Sequence, residues 1–128
     1  MANIPIDRLA AEITKAVQEY TEDVSEAIER KVDEVAEEVL QEVKRTAPKR
    51  TGKYRRGFVK TNRDAPGRTK RIVWNRRHYM LVHLLEFGHA KVNGGRVPAY
   101  PHLRPAYDKH ASKLPDEIKR IIRNGGGP

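Results

Sequence analysis

The sequence predicts an α+β domain: a long N-terminal amphipathic helix, a small antiparallel β-sheet with a short helix and hairpin, and a C-terminal helix. Three observations carry this. Apolar residues recur at steps of mostly three and four from Ile6 to Val43, with no glycine between Pro5 and Gly52. That is the spacing of one helical face. Short apolar runs punctuated by Asp64-Ala65-Pro66-Gly67 and Asn93-Gly94-Gly95 read as strands joined by turns. Helical spacing then returns from Leu103 to Ile122.

The first helix is bounded by its own chemistry. Asn3 can cap the start, Pro5 is tolerated in a first turn, and Pro48 pushes Ala47 out of the helical region. Forty residues of helix span roughly 60 Å. A break near Tyr20–Asp23 is open, because Thr21 can cap a second helix. The apolar stripe, strongest from Val24 to Val43, has two readings. It packs on its own domain, or it also packs against neighbouring subunits, since so long a helix exceeds what a small core covers.

Gly57-Phe58-Val59-Lys60 starts a strand, and Arg71-Ile72-Val73-Trp74-Asn75 is its partner across a basic loop. His78–Glu86 fits either a strand or a helix. The glycine after it, Gly88, resembles a helix-stopping residue and favours a short helix. Asn93-Gly94-Gly95 then predicts a tight hairpin between Ala90–Val92 and Arg96–Pro98. In the closing segment Pro105 suits a first turn, and Pro115 removes a donor in mid-segment, so a kink or second helix begins there.

Composition narrows the function. Apolar residues make up 38% of the 128 and charged residues 34%, so the core is modest and burial is often completed in an oligomer. There is no cysteine, which excludes disulfides, thiol catalysis and thiolate metal sites. No apolar run approaches the length of a membrane span, and Met1–Asp7 lacks the pattern of a signal peptide. The net charge of +9 hides a division. Residues 1–46 hold 6 Lys/Arg against 12 Asp/Glu, and residues 47–128 hold 20 against 5. Acidic and basic halves imply two different surroundings in the working state.

The basic extreme is Lys49, Arg50, Lys53, Arg55, Arg56, Lys60, Arg63, Arg68, Lys70, Arg71, Arg76 and Arg77, with Asp64 the only acid among them. Such a set suits DNA phosphates, which need no sequence readout. It equally suits ion pairs with acidic helices, including those of a neighbour, and both can hold together. Aromatic residues are few there, which disfavours stacking on single strands. The five histidines invite a metal-enzyme reading. A zinc-protease helix needs two histidines four apart with an adjacent glutamate. Here His78 and His83 are five apart, and Gly88 ends the helix between Glu86 and His89. No serine-centred nucleophile motif or phosphate loop is present. The sequence therefore reads as a non-enzyme, and no cofactor is implied.

Three segments resemble one family. They are Thr46-Ala47-Pro48-Lys49-Arg50-Thr51-Gly52-Lys53-Tyr54-Arg55-Arg56; then His83-Leu84-Leu85-Glu86-Phe87-Gly88-His89-Ala90-Lys91 with Gly94-Gly95-Arg96-Val97; and Pro101-His102-Leu103-Arg104-Pro105-Ala106. In this order they resemble the neck, or head–tail joining (tail completion), family of tailed bacteriophages typified by the gene-ten product of phage Hong Kong ninety-seven. The resemblance covers roughly residues 25–123 and suggests a helical extension over 1–20, a neck domain over 21–123 and a flexible glycine-rich tail over 124–128. The Pro-Lys-Arg-Thr-Gly run is more basic than in many relatives, and Pro115 is less usual.

The resemblance implies a non-enzymatic virion protein of the neck, made and assembled in the bacterial host cytoplasm. It would form a homo-oligomeric ring of six or twelve subunits joining the DNA-filled head to the tail. Its partners would be other neck, connector and tail-terminator proteins, with genomic DNA nearby and no membrane. The basic set would face DNA or an acidic neighbour. Thr51 and Gly52 would turn the chain from helix to sheet. Glu86, with Gly88 and His89, would hold the helix–hairpin junction by pairing with an arginine or capping a backbone N–H. Pro101 and Pro105 would fix the entry of the last helix. The rival is a free-standing basic protein that binds DNA phosphates without sequence preference.

Overall fold

The computed structural model describes residues 6–49 and 52–127, with the backbone alone for Ile6 and Asp7. The proposed cap Asn3, together with Pro5, Arg50 and Thr51, lies outside the described residues. Helix α1 runs unbroken from Ile6 to Thr46. Thr21 starts no second helix; its hydroxyl donates to the Val17 carbonyl at 2.8 Å, one turn back. That bond serves the hydroxyl inside a helix and leaves the backbone ladder intact.

The C-terminal half of α1 is the floor of the domain. Its Val35, Val39, Leu40 and Val43 join Ala47, Phe58, Ala106 and Ala111 in the buried core, with Tyr54, Val73, Val82, Leu103 and Leu114 packed around them. A single-turn helix α2 (Lys53–Arg56) follows Gly52 and leads into strand β1 (Phe58–Asn62). The sequence reading expected a direct passage from helix to sheet; four residues are too few to show a period. Strand β2 (Arg71–Asn75) pairs antiparallel with β1, Phe58 opposite Asn75 and Asn62 opposite Arg71. The loop between them closes on itself through an Ala65–Arg68 bridge.

Helix α3 (Tyr79–Phe87) follows, then the two-residue strands β3 (His89–Ala90) and β4 (Arg96–Val97). This second hairpin is shorter than expected. Its loop takes in Lys91–Gly95, with the Lys91 N–H on the Gly95 carbonyl at 2.9 Å. Val92 therefore stands in the loop, fully exposed, and not in a strand. Gly88 has φ 70 and ψ 177, and a Cβ there would come within 2.6 Å of the Val97 carbonyl oxygen. Only glycine allows α3 to turn so closely onto β4.

Helices α4 (Leu103–His110) and α5 (Leu114–Arg123) run back along α1. The break falls where Pro115 demands it: this proline occupies the first turn of α5, where a missing N–H costs nothing. Beyond α5, Asn124–Gly127 form a hydrogen-bonded turn, with the Gly126 N–H on the Ile121 carbonyl at 2.9 Å. This end of the chain lies beside Tyr20 and Asp23 of α1, and the Tyr20 hydroxyl donates to the Ile122 carbonyl at 2.7 Å.

The body of the protein thus ends near Tyr20. Every side chain from Arg8 to Asp23 is exposed. Leu9, Ile13 and Val17 remain 44%, 56% and 58% exposed, although they continue the apolar stripe. The first part of α1 projects from a core that has nothing to cover it. Phe58→Ala is expected to cost about 3–5 kcal/mol in urea denaturation, and Ile13→Ala less than about 0.5 kcal/mol. Similar losses at the two positions would contradict this division of the helix.

Candidate assembly surfaces and charged sites

The junction between α3 and α4 is organised by one carboxyl group. Glu86, in the last turn of α3, is buried and accepts from the backbone N–H groups of His102 at 2.8 Å, Leu103 at 2.7 Å and Arg104 at 3.3 Å. These are orphan donors at the start of α4, and no side chain of α4 caps them. A carboxyl brought from another helix does so instead, at the end where the helix dipole favours it. His102 is fully buried beside it. Its Nδ1 lies 2.8 Å from the Tyr100 carbonyl, which can only accept, so Nδ1 carries the proton. In the neutral ring Nε2 then accepts from the Tyr54 hydroxyl at 2.7 Å. Burial, with Glu86 nearby, pushes the Tyr54 hydroxyl well above its ordinary pKa. Helix α2 is thereby tied to the start of α4.

A second buried polar residue, Asn75, closes the base of the first hairpin. Its amide donates to the Tyr54 carbonyl at 2.7 Å and accepts from the N–H groups of Arg77 and His78 at 3.1 and 2.8 Å. Gly57 lies directly beneath it, where a Cβ would overlap the amide oxygen. Of the other junction residues, Gly52 has φ 76 at the start of α2 and Pro105 lies in the first turn of α4. Pro101 is exposed just before α4. His89 pairs with Val97, and its buried Nδ1 has no hydrogen-bond partner among the described residues.

The acidic and basic halves meet along α1. Asp33 accepts from Lys60 Nζ at 2.8 Å and from Arg71 Nε at 2.9 Å. Lys60 also reaches Glu37 at 3.3 Å, and Arg71 reaches Glu29 at 3.6 Å and pairs with Asp64. The Lys60 and Arg71 hydrogen bonds hold the Asp33 carboxyl below its ordinary range. Further along, Glu42 meets Lys109 at 2.8 Å, pairs with Arg45 and lies 3.3 Å from His110 Nε2. These neighbours, Lys109 foremost, bring Glu42 down to about 2. Lys31 of α1 and Glu117 of α5 pair at 2.9 Å.

The basic set is therefore not one patch. Lys60 and Arg71 are engaged with α1, and the Arg71 side chain is only 5% exposed. Arg63, Arg68 and Lys70 are exposed at the closed tip of the hairpin. Lys49, Lys53, Arg56, Arg76 and Arg77 are exposed toward its other end, with Arg55 half-buried there. Five residues of strand separate the two groups, roughly 16 Å. The tip is held by backbone bonds and by the Asp64 carboxylate, which accepts from the Lys70 N–H at 2.9 Å. These bonds close the loop on itself.

Sequence reasoning did not single out Asn75, Tyr54, Asp33 or Glu42 as organising residues. Each owes its role to at least one partner far along the chain: Tyr54 for Asn75, His102 for Tyr54, Lys60 for Asp33 and Lys109 for Glu42. His102 entered the sequence reading only as one of the five histidines and as part of the Pro101–Ala106 segment. Among the described residues no group of three or more His, Cys, Asp or Glu side chains is placed to hold a metal ion. No helix there is long and apolar enough to cross a membrane.

Two expectations follow. Glu86→Ala is expected to cost about 2–3 kcal/mol of unfolding free energy by leaving buried donors unpaired. Glu86→Gln, which keeps an acceptor, is expected to cost less, and equal losses would contradict the cap. The second concerns acid. Asp33, Glu37, Glu42 and Glu117 are all held below their ordinary values. A carboxylate lowered by folding contributes fully above its unfolded pKa and loses that contribution as pH falls through the folded one. For Glu42 the window runs from 4.5 down to about 2. The thermal midpoint is expected to fall through that window, and to fall less in Glu42→Gln. An unchanged midpoint would contradict the ion-pair account.

No curated protein and no solved structure matches the chain. One family model does match, over residues 11–88, and its description reads "Bacteriophage HK97-gp10, putative tail-component". The match takes in α1 from its projecting part, both strands of the first hairpin and α3 to Gly88. It begins inside the segment that the resemblance left out, and Pro101–Ala106 lies beyond its end. With more than half of its length matched, the chain belongs to the HK97 gp10-like family of phage tail components.

Proposed function

We propose that this tail component is a ring-forming subunit of the virion neck, joining the DNA-filled head to the tail around the DNA channel. The observation that carries the reading is the uncovered first part of α1. Leu9, Ile13 and Val17 line up on a helix face that the chain's own core never reaches. Such a stripe is a cost in an isolated monomer and a contact in an assembly. The separated charges suit the same role. Arg63, Arg68 and Lys70 on a fixed tip reach outward, toward DNA phosphates lining a channel or into an acidic neighbour. The acidic side chains of the projecting helix provide a surface of the opposite sign. The work so described is mechanical and electrostatic, with no catalytic step.

The solution mass at moderate salt, with and without duplex DNA, tests this reading. A closed hexamer or dodecamer that ignores DNA is the expected result. A monomer that binds DNA tightly, with log affinity falling by about 0.9 per phosphate contacted for each unit of log salt, would overturn it in favour of a free-standing DNA-binding protein.

A further inference from the structure

A groove of about 840 Å³ opens between α1, β2, α3 and the last two helices. Val35, Val39, Val73, Val82 and Leu114 are among its lining residues. Phe87, Tyr79 and Tyr107 also line it and are 67%, 64% and 58% exposed. Of the uncovered apolar surfaces among the described residues two bear on each other, and this groove is the second of them. The first is the stripe Leu9, Ile13, Val17, whose spacing of four is that of the anchors an amphipathic helix lays into a groove.

The two cannot meet within one molecule. The groove begins at Val32 of the same continuous helix, fifteen residues beyond Val17, roughly 22 Å along the axis. No glycine or proline lies between them to fold the helix back. Their charges are complementary. Residues 8–23 carry Glu12, Glu19, Glu22 and Asp23 against Arg8 and Lys15. Of the cations lining the groove, Arg71 is spent on Asp33, Asp64 and Glu29 of its own chain and Arg104 is exposed, while the one lining acid, Glu86, has its oxygens occupied by the α4 backbone. Arg104 faces solvent, joined only at 3.2 Å to Asp108, its exposed neighbour one turn on. Arg76 and Arg77 stand exposed just before α3.

We infer that the projecting end of α1 from one copy seats in this groove of the next, with Leu9, Ile13 and Val17 facing the groove wall. Stripe and groove are different surfaces, so the contact is heterologous: each copy gives a helix to one neighbour and receives one from the other. Contacts of this type generate a closed ring or an open filament. The inference rests on the neck-ring reading for closure alone.

The chain has no cysteine, so single thiols can be placed cleanly. Ile13→Cys and Phe87→Cys, both at exposed positions, are mixed and treated with a short bis-maleimide. The expected product is the mixed dimer, at least tenfold over either like-with-like dimer. Val17→Asp is expected to weaken self-association at least tenfold while leaving the thermal midpoint of the monomer unchanged. Predominance of the Ile13→Cys pair with itself would mean that stripes pair with each other, and would overturn the inference. Assembly of the untreated protein without the mixed product would overturn this contact and leave the ring reading standing. Absence of both assembly and product would overturn both.

Discussion

The apolar face Val35–Val43 of α1 is the surface on which the first hairpin and the last two helices settle. The first hairpin lies on it through Phe58 and Val73, and the last two helices through Ala106, Ala111 and Leu114. The acids beside that face take the cations that each layer brings. Asp33 takes Lys60 and Arg71 from the hairpin, while Glu38 and Glu42 take His110 and Lys109 from α4. A single amphipathic helix thus supplies both the apolar burial and the charges that fix the angle of what is buried. Without it the first hairpin would have nothing to cover its apolar side, and isolated hairpins are marginal in water.

The same dependence explains how α1 divides. Its second half is saturated by its own chain, down to a fully buried Val43. Its first half keeps the same periodicity and stays exposed among the described residues. The last described turn packs beside Tyr20 and Asp23, and the Tyr20 hydroxyl is held by the Ile122 carbonyl. Apolar spacing maintained past that point leaves a surface available to another molecule. Membership of a family of phage tail components fits association with other phage morphogenesis proteins.

Much of this architecture was legible in the residues. Long periodicity without glycine announced α1, and Pro115 announced the division between α4 and α5. Turn chemistry at Asp64–Gly67 announced the first hairpin. Each of these is a local signal. What stayed hidden was non-local or too short. Helix α2 is one turn long. In the second hairpin the return strand starts at Arg96 as expected, while the first strand starts a residue earlier and ends at Ala90, because Lys91–Gly95 closes a wider loop than Asn93-Gly94-Gly95 suggests. The Tyr54–His102–Glu86 network joins residues up to 48 apart, through side chains whose types are equally common on surfaces. The basic run looked continuous, yet the pairing of β1 with β2 sends Lys60 and Arg71 inward to α1 and the remaining cations to two ends. Charge counts give the balance of a segment, and only the strand register decides which members are consumed.

The division of α1 is the central claim, and amide hydrogen exchange along that helix tests it most directly. The account predicts that amides of residues 27–43 are protected in the monomer and in the assembly alike. Those of residues 8–19 exchange quickly in the monomer, as a helix without tertiary cover does, and become protected on assembly. Equal protection of both segments in the monomer, or residues 8–19 left unprotected after assembly, would contradict it.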